Sequence, residues 1–417
     1  MRATTLLNRL LNLTGVRVID VDPGAFDAAG PLVVRVALKA RKRLDCPHCS
    51  FFTMAGYDTR WAESSWRHLD VAGRVTVLTM LRRRLVCPAH GVVVQGVPFA
   101  RPGSRFSTDF EDMIAWLVTR ADKTTVSLFA RIAWRRVGAI CERVVAEQLD
   151  ETRFESLVNI GVDEISWRKH HRYLTLVSDH ATSKIVWGAP GKNAATLDGF
   201  FAEIGAENTA VIEAVSMDMG PAFAKSVRTN APGAVICYDP FHVIQLATNA
   251  LESFRRSIWQ RARDLPDQDI AKKFKGTRWV LLKNPQNLTG KQQVTLAGLE
   301  QAGGLLWDAY QLKESLREVF AGDLNPADVM EMITTWCELA ATPNIREFAR
   351  AAATIRSHTD GIHAAVTRQL SNGPHEGLNN KIRTMTRRSY GFHTPEAALA
   401  LIMLACGPVE IKLPYQK

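Results

Sequence analysis

No run of apolar residues in this 417-residue chain approaches the roughly 20 needed to span a bilayer, which argues against a membrane protein. The opening MRATTLLNRLLNLTG spaces its leucines as a helix does and lacks the continuous apolar core of a secretory signal. Cysteine is sparse and odd in number, seven in all, scattered as Cys46, Cys49, Cys87, Cys141, Cys237, Cys337 and Cys406. That scatter argues against a disulfide framework and for a reducing compartment, hence a soluble, cytoplasmic protein. Internal repeats and low-complexity tracts are also missing. Acid is in deficit, with 42 Asp and Glu against 52 Lys and Arg and a formal charge of +10. This excess suits a polyanionic partner, nucleic acid first. The 46% apolar content supports buried cores, and the length allows roughly two to four domains.

Residues 30–100 read as strands and turns. VVRVALKARKRLDC alternates, sending Arg35, Lys39, Arg41 and Arg43 to one face, and RVTVLTMLRRRLVC does much the same before an arginine cluster. The period then becomes helical. Ser107 or Thr108 is expected to cap a first helix, Thr124 or Thr125 a second, and a third runs from Trp134 to about Leu149. The short second helix and the third, which sets Arg135, Arg136 and Arg143 opposite Val137, Ile140 and Val144, look like a helix-turn-helix that binds DNA. A plain three-helix bundle with solvated arginines is the alternative.

From 155 to 245 the pattern is β-β-β-α-β-α-β-α, which suits a mixed sheet of a three-strand meander followed by parallel strands joined by crossover helices, ordered 3-2-1-4-5. Residues 246–368 read as helical throughout, with Trp259, Trp279, Trp307 and Trp336 as core. A helix carrying Glu376 follows SNGP. The expected divisions are a β-rich zinc-binding domain (1–104), a helix-turn-helix (105–152), an α/β RNase H-like core in two parts (153–245 and 369–417), and an all-helical insertion between those parts (246–368).

Two constellations carry chemistry. Cys46-Pro-His-Cys49 and Cys87-Pro-Ala-His90 are two pairs with two intervening residues, each turned by a proline. Together they give four ligands for a tetrahedral, structural zinc that leaves no position open to substrate. The second constellation is acidic. Asp163 lies inside the first strand of the α/β region, where an ionised carboxylate is costly unless paired or bound to metal. Asp218 ends the fourth strand, next to the first in the expected order, and Glu376 begins a helix. Each acid alone has a plain reading, Asp218 as an N-cap and Glu376 as a helix-dipole partner. Together they form a site for two Mg²⁺ ions, with Mn²⁺ a possible substitute, suited to phosphodiester transfer.

The blocks VDEISWRKHHRYLTLVSD, VSMDMGPAFAKSV, YDPFHVIQLATNAL, RWVLLKNPQNLT and SNGPHEGLNNKIRTMTRRSYGF resemble the ISL3-family insertion-sequence transposases, as do the zinc-binding and helix-turn-helix segments. The resemblance spans nearly the whole chain. It implies a bacterial, nucleoid-associated DDE transposase that binds the terminal inverted repeats of its element, cleaves DNA strands and transfers them. By block, the catalytic acids fall on Asp163, Asp218 and Glu376. Asp239-Pro-Phe-His242 resembles an element that follows the second acid in several DDE families, giving Asp239 and His242 accessory roles. His90 stands where a cysteine often completes the zinc site, and zinc accepts either. Lys381, Arg383, Arg387 and Arg388 are expected on DNA phosphates, because a helix carrying a catalytic acid must lie near the backbone being cut. The implied partners are double-stranded DNA, as element ends and target, and a second copy of the chain. Tyr390 and Phe392 are expected in a core, with stacking on an unpaired base as the alternative. Two competing functions are a domesticated, non-catalytic zinc and helix-turn-helix regulator and an RNase H-like structure-specific nuclease. The first has no use for three separated acids, and the second leaves the two-part DNA-reading N-terminus unexplained.

Overall fold

The computed structural model describes the chain apart from residues 1–2, 12, 24–29, 40–42, 150, 169–171, 265–271, 273, 322–323, 342–343, 372 and 417 and the side chains of 374–376. Arg41 therefore lies outside the described residues. The chain forms two units, residues 1–150 with 385–417, and residues 151–384.

In the first unit, α1 (Ala3–Leu11) precedes β1 (Val16–Asp22), β2 (Leu32–Leu38), β3 (Leu44–Asp45), β4 (Phe52–Thr53), β5 (Trp61–Val71), β6 (Arg74–Cys87) and β7 (Gly91–Val94). The main sheet is ordered β1-β2-β6-β5, with β7 also on β6, and β3 and β4 form a separate small ribbon. Alternation in β2 buries Leu32, Val34 and Val36 and exposes Arg35, which pairs with Asp20 on β1 at 2.9 Å. Val34, Val36, Trp66 and Leu78 form the core of this sheet. The arginine cluster on β6 is spread over aromatic faces, Arg82 over Trp66 and Arg83 over Trp61.

Three helices follow, α2 (Thr108–Val118), α3 (Lys123–Ala130) and α4 (Trp134–Gln148). Ser107 caps α2 through the Phe110 N–H, as its position suggests, but the cap of α3 is Asp122, not Thr124 or Thr125. The carboxylate of Asp122 accepts from both of those backbone N–H groups. Ile114, Val137, Ile140 and Val144 are fully buried between the helices. Arg101, itself buried, donates to Asp112 at 2.7 Å and to Glu111 at 3.2 Å, so the buried acids of α2 are not left without a counter-charge.

The second unit contains β8 (Asn159–Arg168), β9 (Arg172–Asp179), β10 (Lys184–Pro190), α5 (Ala194–Val211), β11 (Ala214–Met217), α6 (Pro221–Asn230), β12 (Val235–Tyr238) and α7 (Pro240–Arg263). The sheet order is β10-β9-β8-β11-β12, the expected 3-2-1-4-5. β8 to β10 form an antiparallel meander, and β11 and β12 join parallel to β8. α5 is broken at Gly205 (φ 76, ψ 168), and a second short helical stretch carries the chain on to Val211. Helices α8 (Arg278–Leu282), α9 (Gly290–Ala302), α10 (Leu305–Val319), α11 (Pro326–Ala340), α12 (Arg346–Ser357) and α13 (Thr359–Arg368) fill the expected insertion, with no strand among its described residues. Trp336 is buried there, but Trp279 is 58% exposed with Arg278 over its ring, so it does not serve as core.

The last helices are α14 (Gly373–Arg388) and α15 (Pro395–Cys406). The expected final segment, 369–417, divides between the units, and residues 385–417 join the unit of the N-terminal sheet and helices. The reason is a row of apolar residues on α15, including Leu401, Ile402 and Leu404, buried where α15 packs against α4 and α2. No helix among the described residues is long and apolar enough to cross a membrane.

Candidate functional site

The acidic constellation is assembled by strand register. On the parallel pair β8 and β11, the register runs to Ser216 opposite Gly161, with Asp163 two residues further along β8 and Asp218 just past the end of β11. On β11 and β12, Met217 lies opposite Tyr238, so Asp218 is level with Asp239. Level positions on neighbouring parallel strands share a face and lie about 4.8 Å apart from strand to strand. Asp163 is thus one strand spacing from Asp218 and two from Asp239, all at the same end of the sheet.

Each acid is held differently. Asp163 accepts from the Glu164 backbone N–H at 2.7 Å through Oδ1 and from Asn379 Nδ2 at 2.5 Å through Oδ2. Burial raises the Asp163 carboxyl above its ordinary range, and the Asp218 charge adds to the rise. The Asn379 and Glu164 hydrogen bonds and the charge of His242 act the other way. Asp218 accepts from the Gly220 N–H at 2.9 Å, and a β-carbon at Gly220 would stand 2.8 Å from Asp218 Oδ1, so a side chain there would push the carboxylate out of this position. Asp239 is 4% exposed and caps α7 through the Phe241 N–H at 3.3 Å, and His242 lies in the first turn of that helix.

Two residues that sequence reasoning passed over belong to this group. Glu164 ion-pairs with Lys192 at 3.7 Å, and its carboxyl is raised by burial first and then by the charges of Asp218 and Asp163. Asn379, 9% exposed on α14, closes over Asp163. Its only signal in sequence is its spacing, three residues after Glu376, which on a helix is the same face. The backbone of position 376 belongs to α14, while the Glu376 side chain lies outside the described residues.

The four expected zinc ligands converge, with their ligand atoms all within 4.8 Å of one another. Cys49 Sγ is 3.6 Å from Cys87 Sγ, and His90 Nδ1 is 3.4 Å from Cys87 Sγ and 3.7 Å from Cys46 Sγ. A tetrahedron with Zn–S of about 2.3 Å and Zn–N of about 2.0–2.1 Å has edges of roughly 3.5–3.8 Å, so the group fits zinc. Cys87 is lowered to about 6. Burial works against this shift, but the hydrogen bonds from His90 and nearby backbone N–H groups outweigh it and favour the thiolate that zinc takes. Gly91, at φ +66, makes the turn that brings His90 back to Cys87. Cys46 and Cys87 share a small core with Leu44 and Leu85, while Cys49 and His90 are exposed, which is little packing for a structure to rest on without metal.

The expected DNA-contacting cations divide. Arg135 and Arg136 are exposed in the first turn of α4, and Lys381, Arg383 and Arg387 are exposed on α14. Arg143 instead donates to buried Glu111, and Arg388 donates to the carbonyls of Thr119 at 2.8 Å and Arg120 at 2.9 Å. Both hold the helices of their unit together, because a carboxylate and the end of α2 compete for them within the fold.

Three family models match the chain. One described as a transposase covers residues 160–402, one described as the helix-turn-helix domain of transposase family ISL3 covers 96–145, and one described as the zinc-finger of transposase IS204/IS1001/IS1096/IS1165 covers 42–90. The chain is 37% identical over 439 aligned residues to the transposase for insertion sequence element IS1557 of Mycobacterium tuberculosis, covering 99% of this chain and 98% of that one. It is 27% identical to the transposase for insertion sequence element IS1001 of Bordetella parapertussis, covering 79% of this chain and 81% of that one.

Proposed function

The chain belongs to the ISL3 family of transposases, and from that premise we propose that it cuts and rejoins DNA with Asp163, Asp218 and Glu376 as catalytic acids on an RNase H-like sheet. The observation that carries this reading is the placement of Asp163 on β8 and of Asp218 just past the end of the adjacent parallel strand β11, near enough for the Asp218 charge to act on Asp163, with α14 hydrogen-bonded over Asp163. Oxygen donors of this kind suit Mg²⁺ or Mn²⁺. Asp163 and Asp218, with Glu376, would hold the divalent ions, which supply Lewis acidity and activate the attacking oxygen in phosphodiester transfer.

The chain's own residues do the rest. The Glu164 N–H and Asn379 fix the plane of the Asp163 carboxylate and leave further lone pairs on both oxygens, since a carboxylate offers about four. Gly220 fixes Asp218 in the same way. Asp239, engaged in capping α7, positions that helix and His242 beside the acids rather than serving as the second catalytic acid. In the first unit, zinc would fix the loops at 46–49 and 87–90 against the sheet, and the helix-turn-helix binds DNA at the element's terminal inverted repeats. Two ends must be cut and joined, so the working form is a homodimer on DNA.

Cleavage of end-sequence DNA in Mg²⁺ tests the assignment. Asp163→Asn, Asp218→Asn and Glu376→Gln should each abolish cleavage while leaving DNA binding intact, and Asp239→Asn should reduce it only in part. An active Asp218→Asn beside an inactive Asp239→Asn would mean that the second catalytic acid is Asp239.

A further inference from the structure

The ring of Tyr390 is not in a core. It is 93% exposed, at a backbone φ of +54 that a residue with a β-carbon seldom adopts, and Gly391 follows at φ +94. The turn is closed by hydrogen bonds from the Tyr390 N–H to Arg387 O at 3.1 Å and from the Gly391 N–H to Thr386 O at 3.2 Å. This pair of hydrogen bonds is that of a helix-ending cap, usually built on glycine. Here the position that glycine would fill carries a large ring and holds it out into solvent.

The turn is also tied down on both sides, all within one unit. Before it, Arg388 is anchored on the Thr119 and Arg120 carbonyls. After it, the ring of His393 meets Trp134 edge-on at 5.3 Å, and the Lys123 ammonium sits 3.5 Å from the centre of the Trp134 ring. Trp134 begins α4, so the turn is held beside the helix end that exposes Arg135 and Arg136. Arg387, three residues before Tyr390, is exposed as well. The arrangement is an aromatic ring on a fixed mount, in a unit that also exposes these arginines.

Nucleic acid matches that combination. The cations take phosphates, and the ring takes a π-face of the same size and flatness. A base paired inside a duplex has both faces covered by its neighbours, so the face that Tyr390 can reach belongs to a base out of the stack. We propose that Tyr390 stacks on an unpaired base of DNA whose backbone is held by Arg135, Arg136 and Arg387. The inference rests on DNA binding by the helix-turn-helix unit. It does not depend on which acids cut, and inactive Asp163→Asn protein would serve as well in its test.

The test uses the full chain and two short duplexes, one with a single extrahelical 2-aminopurine and one with the same base paired. Binding should quench the extrahelical 2-aminopurine, because stacking does so. Tyr390→Phe should keep the quenching. Tyr390→Ala and Tyr390→Gly should both lose it and bind the bulged duplex roughly tenfold more weakly, with the paired duplex unaffected. The glycine variant suits the positive φ, so its failure cannot be laid to a disturbed turn. Arg135→Ala with Arg136→Ala should weaken both duplexes alike and make the salt dependence shallower, as phosphate contacts do. Unchanged quenching in Tyr390→Ala, or an equal loss on both duplexes, would overturn the proposal. So would a change in self-association of the DNA-free protein on removing the ring, which would assign the ring to a second copy of the chain.

Discussion

Asn379 Nδ2 stands 2.5 Å from Asp163 Oδ2 across 216 residues of sequence, and this one hydrogen bond seats α14 on the acidic edge of the sheet. Partners that orient a metal-binding carboxylate are typically worth 10–100-fold in metal affinity. Asn379→Ala should therefore raise the Mn²⁺ concentration needed for half-maximal cleavage by roughly tenfold, with DNA affinity unchanged. Direct Mn²⁺ titration of the DNA-free protein should report the same shift. An unaltered metal dependence would reduce the contact to packing.

The state of Asp163 also sets a pH dependence. Burial, and then the Asp218 charge, raise its carboxyl in the folded protein above its unfolded value. Its contribution to stability is therefore fully present below the unfolded pKa and is lost as pH rises through the folded one. At pH 8 without divalent ions, Asp163→Asn should raise the Tm, because the variant carries no charge to bury. The gain should shrink as the pH is lowered toward the ordinary carboxyl range. Added Mg²⁺ should stabilise the parent protein and leave the variant nearly unmoved. A variant less stable than the parent at pH 8 would contradict this account.

One zinc per chain is expected, held by Cys46, Cys49, Cys87 and His90. Measurement belongs on the full chain, because residues 385–417 complete the unit that contains the site. Elemental analysis of the Cys46→Ser, Cys49→Ser double variant should find the zinc gone. Chelation of the parent should lower the Tm of this unit, since a site with so small a core depends on metal for its fold. Full zinc content in the double variant would remove the assignment.

His68 makes the first unit acid-sensitive. It is 2% exposed and 2.7 Å from Ser107 Oγ, the cap of α2, and burial lowers it to about 4 from an ordinary 6.5. The unfolded chain takes up the proton first as the pH falls, so stability is lost between about 6.5 and 4. The loss is on the order of 3 kcal/mol. Urea melts of the parent and of His68→Gln across that range should diverge, with the variant showing the smaller loss. Parallel curves would mean that His68 is protonated in the fold.

Much of this was written in one dimension. The spacing of Cys46, Cys49, Cys87 and His90 points to a zinc group by itself, because each pair closes on a local turn. The order of elements from 155 to 245 was enough to predict the strand order, since handed crossovers and short turns leave few topologies. Asp163 was conspicuous as a charge in an apolar strand, and Asp218 as the acid ending its neighbour. What the sequence could not say is how long-range competition is resolved. Arg143 and Arg388 look like Arg135 and Arg136 on a helix projection, yet a buried Glu111 and the open carbonyls at the end of α2 claim the first two. The cap of α3 went to Asp122 because a carboxylate accepts two backbone N–H groups at once. Tyr390 resembled a core residue, and only the anchored turn around it turned its ring to solvent. Asn379 had no local mark except its distance from Glu376. Its partner lies 216 residues away, and a hydrogen bond of that kind has no period or spacing to read, because only the packing of a helix over a sheet creates it.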